Sequence, residues 1–235
     1  MISSASFDRY EPDGVVYPIP VLSPDEVAAF RDRAEELLKG GSAAVRQPHR
    51  QHRWAYDLCA HSRVLDAVEA LLGPDLVVHS TLIFFKRAGD ASFVSWHQDG
   101  LYPGLQAPRL TTAWIALTSS VPENGCLRVI PGSHKWGIRP HKEIVAKDNL
   151  LNRGQTMEDI DESQAVDISL KPGEMSLHHR DLAHASKGNH SDMDRIGYVI
   201  RCITPEARVE GQPVAPVRGD KAVDHFEILT PPNRP

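Results

Sequence analysis

A histidine and an aspartate two residues apart, His97 and Asp99 in the run Trp96-His97-Gln98-Asp99-Gly100, stand far upstream of a second histidine, His184, and of Arg195. Residues i and i+2 of a β-strand project to one face, so an imidazole and a carboxylate would emerge there side by side. A second imidazole from a distant strand would complete two nitrogens and one oxygen on one side of a cation. That arrangement keeps coordination positions open and suits non-haem Fe(II). A 2-oxo acid could chelate through two open positions and leave the third for O2. Its far carboxylate would then need a cation, and a guanidinium offers a planar two-pronged fork for it. Arg195 opens the strand after His184 and is placed for that job. Ser186, two residues past His184, could add a hydroxyl from the same side.

The elements that must position these groups follow from patterning. Ser23-Pro24 with Glu26 forms a capping box, and Val27, Phe30, Ala34, Leu37 and Leu38 make one apolar stripe that Gly40-Gly41 ends. A second helix is predicted over 62–72, stopped by Gly73-Pro74. From residue 75 the pattern becomes short β-runs at 76–86, 92–98, 110–117, 126–130, 166–170, 174–179, 182–186 and 196–203. Turn signals at Asn124-Gly125, Pro131-Gly132 and Pro172-Gly173 separate several of them. Many short strands at this spacing predict a mainly β sandwich or jelly roll with flanking helices. Residues 135–165 break the rhythm and are expected to form a long lid-like loop. The tail, 205–235, is rich in Pro and Gly and is expected to be extended. No repeat or linker interrupts the chain, so all of 1–235 is taken as one domain.

Composition narrows the function further. The chain has 235 residues, 41% of them hydrophobic and 24% charged, which is ordinary for a globular protein with a buried core. A formal charge of −5 gives no basic face for nucleic acid. The apolar runs are too short to cross a bilayer, and the first residues lack a secretory leader. Three scattered cysteines, Cys59, Cys126 and Cys202, suggest buried thiols in a reducing cytoplasm rather than a zinc knuckle. The expected partner is a small-molecule substrate; oligomeric state is not readable.

Other conspicuous residues also have ordinary structural roles open to them. An isolated His-x-Asp is most often a surface or structural pair; what singles this one out is the ordered set on predicted strands. Arg201 shares a strand face with Arg195, and meets either an anionic group of the substrate or a carboxylate on the barrel wall. Tyr102 and Trp136 are candidate substrate contacts or ordinary loop packing, and Arg128, on a short strand, faces either a substrate or solvent. Of His178 and His179, which alternate on a strand, one is expected to face the site. His49, His52, His61, His141, His190 and His225 are read as solvated, His134 as part of a turn, and Lys86 as a solvated strand end.

Taken together, Trp96-His97-Gln98-Asp99-Gly100, Thr112 to Leu117, Glu123-Asn124-Gly125-Cys126-Leu127, Ile130 to His134, Gly173 to His179, and His184-Ala185-Ser186 with Arg195 resemble the phytanoyl-CoA dioxygenase family of Fe(II)/2-oxoglutarate oxygenases. The similarity runs over most of 12–204. It implies a double-stranded β-helix (a cupin-like jelly roll), His97, Asp99 and His184 as iron ligands, and Arg195 as anchor of the distal 2-oxoglutarate carboxylate. Trp114 and Ser186 are implied to line that pocket. The family also contains halogenases, in which a small residue replaces the metal carboxylate; Asp99 fills that position here, which favours hydroxylation of a small metabolite, with release of succinate and CO2. Desaturation or epoxidation on the same scaffold, a role in specialised biosynthesis, a non-catalytic cupin and a zinc hydrolase are the competing readings. The last leaves Arg195 without a task.

Overall fold

The computed structural model describes residues 7–41, 43–101, 104–144, 146–151, 155–221 and 223–233. After a single helical turn, α1 (Tyr10–Asp13), come strand β1 (Val15–Pro20), helix α2 (Pro24–Leu38), strand β2 (Ala44–Arg46) and helices α3 (Arg53–Cys59) and α4 (Ser62–Leu72). The rest is β: β3 (Leu76–Lys86), β4 (Val94–His97), β5 (Leu105–Gln106), β6 (Leu110–Ala116), β7 (Leu127–Val129), β8 (His141–Glu143), β9 (Gln155–Met157), β10 (Val166–Ile168), β11 (Glu174–His179), β12 (His184–Ser186), β13 (Arg195–Ile203), β14 (Arg208–Val209) and β15 (Ala215–Arg218).

Two antiparallel sheets dominate. The larger runs β1-β11-β6-β13-β3-β15, with β2 also paired to β3, and the smaller runs β10-β7-β12-β4. Sequence neighbours are rarely sheet neighbours, which is the signature of a jelly roll. Strand β13 shows how the layers divide. Its residues are buried throughout, because one face meets helices and the other meets the second sheet. Ile196, Tyr198, Ile200 and Cys202 join Ile83, Phe85, Ala113 and Ile115 under Leu38, Leu58, Val64 and Val68 of the helices. The Tyr198 hydroxyl donates to the Ala55 carbonyl at 2.8 Å, tying sheet to α3. The opposite face carries Arg195, Gly197, Val199 and Arg201 into the space between the sheets, where Val199 packs with Leu82, Trp114, Leu127 and Val129.

The helix starts are as the capping signals require. Ser23 N donates to Glu26 Oε2 at 2.7 Å and Glu26 N to Ser23 Oγ at 3.3 Å, satisfying two orphan donors at the α2 N-terminus. Two expectations are corrected. Residues 135–165 are not one structureless loop, because β8 and β9 pair as a hairpin. The tail is not merely extended either: β15 adds an edge strand to β3 and β14 pairs with β5. No helix of the described residues is long and apolar enough to cross a membrane.

The Tyr198 anchor gives a direct stability test. Tyr198→Phe should lower the unfolding free energy by roughly 1 kcal/mol in urea titration, the net worth of one buried hydrogen bond, and leave the site intact.

Candidate metal centre

Strands β4 and β12 are neighbours, with His184 directly opposite His97. This register brings residues 87 positions apart in sequence to a ring-centroid distance of 4.0 Å. Asp99 follows just after β4, in a single tight turn over Asp99–Leu101 rather than on the strand itself. The expected alternation along a strand therefore does not aim the carboxylate; the turn does. One ligand atom from each of His97, Asp99 and His184 lies within 4.8 Å of the others, all three being buried.

The imidazoles are held for ligation. His97 Nδ1 lies 2.9 Å from the Ser95 carbonyl and His184 Nδ1 2.9 Å from the Leu182 carbonyl. A carbonyl can only accept, so both Nδ1 atoms carry the proton and both Nε2 lone pairs are free. Burial pushes the His97 imidazolium down to about 4 and, with the other two imidazoles next, holds His184 well below its usual range. Both rings are therefore neutral at pH 7, as metal ligands must be.

Asp99 has no exposed surface. Burial alone would raise its pKa. Arg201, donating to Oδ1 at 2.8 Å, then His178 and the two other histidines outweigh that and hold the carboxyl well below the usual carboxylate range. Thr112 donates to Oδ2 at 2.7 Å, and His178 Nε2 stands 3.5 Å from Oδ2. From Asp99, His97 Nε2 is 3.9 Å and His184 Nε2 4.0 Å away. Ligands on neighbouring positions of an octahedral ion with bonds near 2.1 Å sit about 3 Å apart, so a contraction of about 1 Å would close the set. Two neutral imidazoles and one carboxylate, with no thiolate, is the donor set of non-haem Fe(II).

Arg195 and Ser186 line the same cavity further along, and Lys86 stands behind them. Arg195 is directly opposite Lys86 across β13 and β3. Both are buried, and no carboxylate is bonded to either among the described residues. Lys86 Nζ donates to Ser186 Oγ at 2.7 Å and to the Lys187 carbonyl. Burial, then Arg195, depresses the Lys86 ammonium to about 6, and burial lowers Arg195 to about 10. The guanidinium carbon of Arg195 stands 5.3 Å from the Trp114 ring centre. The indole can lie there because Gly197 has no side chain: a Cβ would meet Trp114 Cζ2 at 2.0 Å.

Of the sequence-derived candidates, His97, Asp99, His184, Trp114, Ser186, Arg195 and Arg201 all line one cavity. Arg201 faces a wall carboxylate, and that carboxylate is Asp99. Arg128 does not line this cavity: it bonds Glu162 at 2.7 Å and Asp167 at 3.1 Å and stands over the Trp96 ring. Trp136 is 40% exposed and stacks with Arg139, away from the cavity. Tyr102 lies outside the described residues. Lys86 and His49 were expected in solvent and are instead buried, His49 Nδ1 lying 2.7 Å from Thr81 Oγ1. His141 is no free surface group either, since its Nε2 accepts from Gln98 N at 3.1 Å. His178 is the member of its pair that faces the site. Thr112 was missed, although alternation from Trp114 puts it on the cavity face. Lys86 was missed because only the β3–β13 register sets it against Arg195.

A jelly roll enclosing His-x-Asp and a distant histidine defines the class of non-haem iron oxygenase folds. The chain belongs to the phytanoyl-CoA dioxygenase family, whose model matches residues 10–197. It is 33% identical to a phytanoyl-CoA dioxygenase of Arabidopsis thaliana over 127 residues, which cover 54% of this chain and 44% of that one. It is 29% identical over 187 residues to a probable alpha-ketoglutarate-dependent hypophosphite dioxygenase of Stutzerimonas stutzeri, covering 77% of this chain and 64% of the relative. The chain thus spans about half to two thirds of the length of these curated relatives. Among solved structures, the non-heme monooxygenase ThoJ in its apo form superposes with a TM-score of 0.83 at 33% identity, covering 96% of this chain and 87% of that one.

The Lys86 environment predicts a pH dependence. In the unfolded chain this ammonium titrates near 10.4, whereas in the folded protein it titrates near 6. Between these values the unfolded state binds more protons, so stability must rise with pH there. Lys86→Met should flatten that rise by a few kcal/mol between pH 6.5 and 9.5, read from urea midpoints of metal-free protein; parallel curves for the two proteins would show that Lys86 is not desolvated.

Proposed function

We propose that the protein is an Fe(II)- and 2-oxoglutarate-dependent dioxygenase that hydroxylates a C–H bond of a small-molecule metabolite, releasing succinate and CO2. The observation that carries this reading is the convergence of two neutral imidazoles and one buried carboxylate in a cavity that also holds a buried guanidinium, Arg195, with no carboxylate bonded to it among the described residues. His97, Asp99 and His184 would hold the iron. Arg195 and Lys86, with Ser186 between them and Trp114 against the guanidinium, would receive the distal carboxylate of the co-substrate. Iron bound there supplies O2 activation, coupled to oxidative decarboxylation of the 2-oxo acid. The protein's own part is orientation and exclusion. Carbonyl-bonded Nδ1 atoms fix the ring planes, Thr112 and Arg201 fix the carboxylate, and the apolar wall of Leu82, Leu127 and Val199 keeps bulk water out.

The same reading takes the chain as one catalytic domain working in the cytoplasm. Three buried free thiols support a reducing compartment. The hypophosphite dioxygenase relative, by its name, acts on a compact oxyanion, which supports a small substrate over a macromolecular one. A purely ligand-binding cupin would have no use for a desolvated guanidinium in the same cavity as a His-Asp-His cluster.

Anaerobic protein given Fe(II) and 2-oxoglutarate should develop a weak visible charge-transfer band, and His97→Ala or Asp99→Ala should lose both the band and succinate release. Succinate produced at the wild-type rate by both variants would overturn the proposal. Arg195→Ala should weaken 2-oxoglutarate binding by about 2–5 kcal/mol in calorimetry, the usual cost of stranding a buried charge. Lys86 is mostly neutral at pH 8 in the free protein, and a carboxylate beside it favours the charged form. Binding of 2-oxoglutarate at that pH should therefore take up close to one proton, measurable by calorimetry in buffers of different ionisation enthalpy, and Lys86→Met should abolish the uptake.

A further inference from the structure

Next to the metal cavity lies a chamber of about 290 Å3 whose walls include Arg46, Gln47, His79, Ser80, Arg201 and Gln212. The two spaces meet at Arg201, which lines both. Strand register sets their order. Arg195 and Arg201 stand on one face of β13, six residues and so roughly 20 Å apart along the strand. Asp99 is bonded at the Arg201 end. A co-substrate anchored at Arg195 reaches the cluster from one side, and the chamber reaches it from the other.

The chamber is built for a polar, charged guest. Ser80 is opposite Arg201 in the β3–β13 ladder, is 5% exposed, and its hydroxyl has no hydrogen-bond partner among the described residues. A buried hydroxyl left unpaired is costly, and an acceptor on a ligand would remove that cost. Gln212 is held by Gln47, His79 and Arg50 and so presents a fixed amide. Burial keeps the His79 ring neutral at pH 7, with its Nε2 accepting from the Gln212 amide. Two guanidiniums, of Arg46 and Arg201, and one carboxylate, Glu210, line the chamber, and Arg201 is also bonded to Asp99 at its cavity side. A divalent cation on Asp99 would share the carboxylate that Arg201 now holds and would repel the guanidinium. Arg201 then gains by pairing with an oxyanion on its chamber side.

We infer that the substrate is a compact polar metabolite carrying an oxyanion, a carboxylate or a phosphonate, which Arg201 and Ser80 hold where the chamber meets the metal cavity. The inference rests on the oxygenase reading above and names its substrate class. The chamber is at the low end of ligand-pocket volumes, and among its side chains only Leu82 is a large apolar one, which gives a long acyl chain little to pack against.

The test uses anaerobic protein loaded with Fe(II) and saturating 2-oxoglutarate, titrated by calorimetry with methylphosphonate, propionate and propionamide, probes of similar size. At least one of the two anions should bind about tenfold or more tighter than the amide, and the preferred anion identifies the group. Ser80→Ala should weaken that anion by about 3–10-fold, and Arg46→Gln should weaken it as well. Affinity for 2-oxoglutarate and the melting temperature should stay near wild type in both variants. If the amide binds as well as the anions, if none of the three binds while the iron–2-oxoglutarate band is intact, or if both variants bind the anion like wild type, the inference is wrong and the oxygenase reading stands. Absence of the band in the wild-type protein would defeat that reading first and the inference with it.

Discussion

A carboxylate with no exposed surface, Asp99, sets the terms for everything around it. Stranding such a charge away from water costs several kcal/mol unless every lone pair is answered. Here Arg201 answers Oδ1 and Thr112 answers Oδ2, while His178 stands by at 3.5 Å. The four groups come from the turn after β4 and from strands β6, β11 and β13. The site is thus a property of sheet closure, and no single segment of the chain carries it. A misregistered β13 would move Arg201 to the helix face and leave the aspartate uncompensated.

The same strand lays out a gradient of tasks. At its start the buried guanidinium of Arg195 stands opposite Lys86, whose ammonium burial and that guanidinium push down to about 6. Midway, Gly197 yields its volume to Trp114, and Val199 keeps the wall apolar. At its end Arg201 borders both the metal cluster and the polar chamber. Alternation gives each of these residues to the cavity and gives Ile196, Tyr198, Ile200 and Cys202 to the helix layer, so stability and chemistry are carried by opposite faces of one strand.

Outside the barrel, the Gln98 side chain ties the end of β4 to the segment that leads into β8. Gln98, buried between the two ligand residues, donates to the Gly137 carbonyl at 2.9 Å and to the Asp181 carbonyl at 2.6 Å, and accepts from Arg139 N at 2.9 Å. The sequence His-Gln-Asp therefore reads as two candidate ligands with a strut between them: His97 ends the strand, the following turn brings Asp99 to the cavity, and Gln98 fastens the neighbouring loop.

Local grammar was enough for much of this molecule. The Ser23 capping box, the stop at Gly73, the bounds of β3 and β11 and the ligand triad all followed from residues close together or from one motif set, because caps, turns and alternation act over a few positions. What needed the folded chain was pairing. Lys86 reads as a solvated strand end until β13 places Arg195 opposite it, and Arg128 reads as a site residue until Glu162 and Asp167 claim it from across the small sheet. Asp99 does group with His97 and His184, but strand alternation is not the reason, since a turn aims it. Residue types and their spacing determined which chemistry the chain carries. Register, burial and the partners brought by distant strands decided which charges stand alone, because desolvation exists only once the sheets have closed.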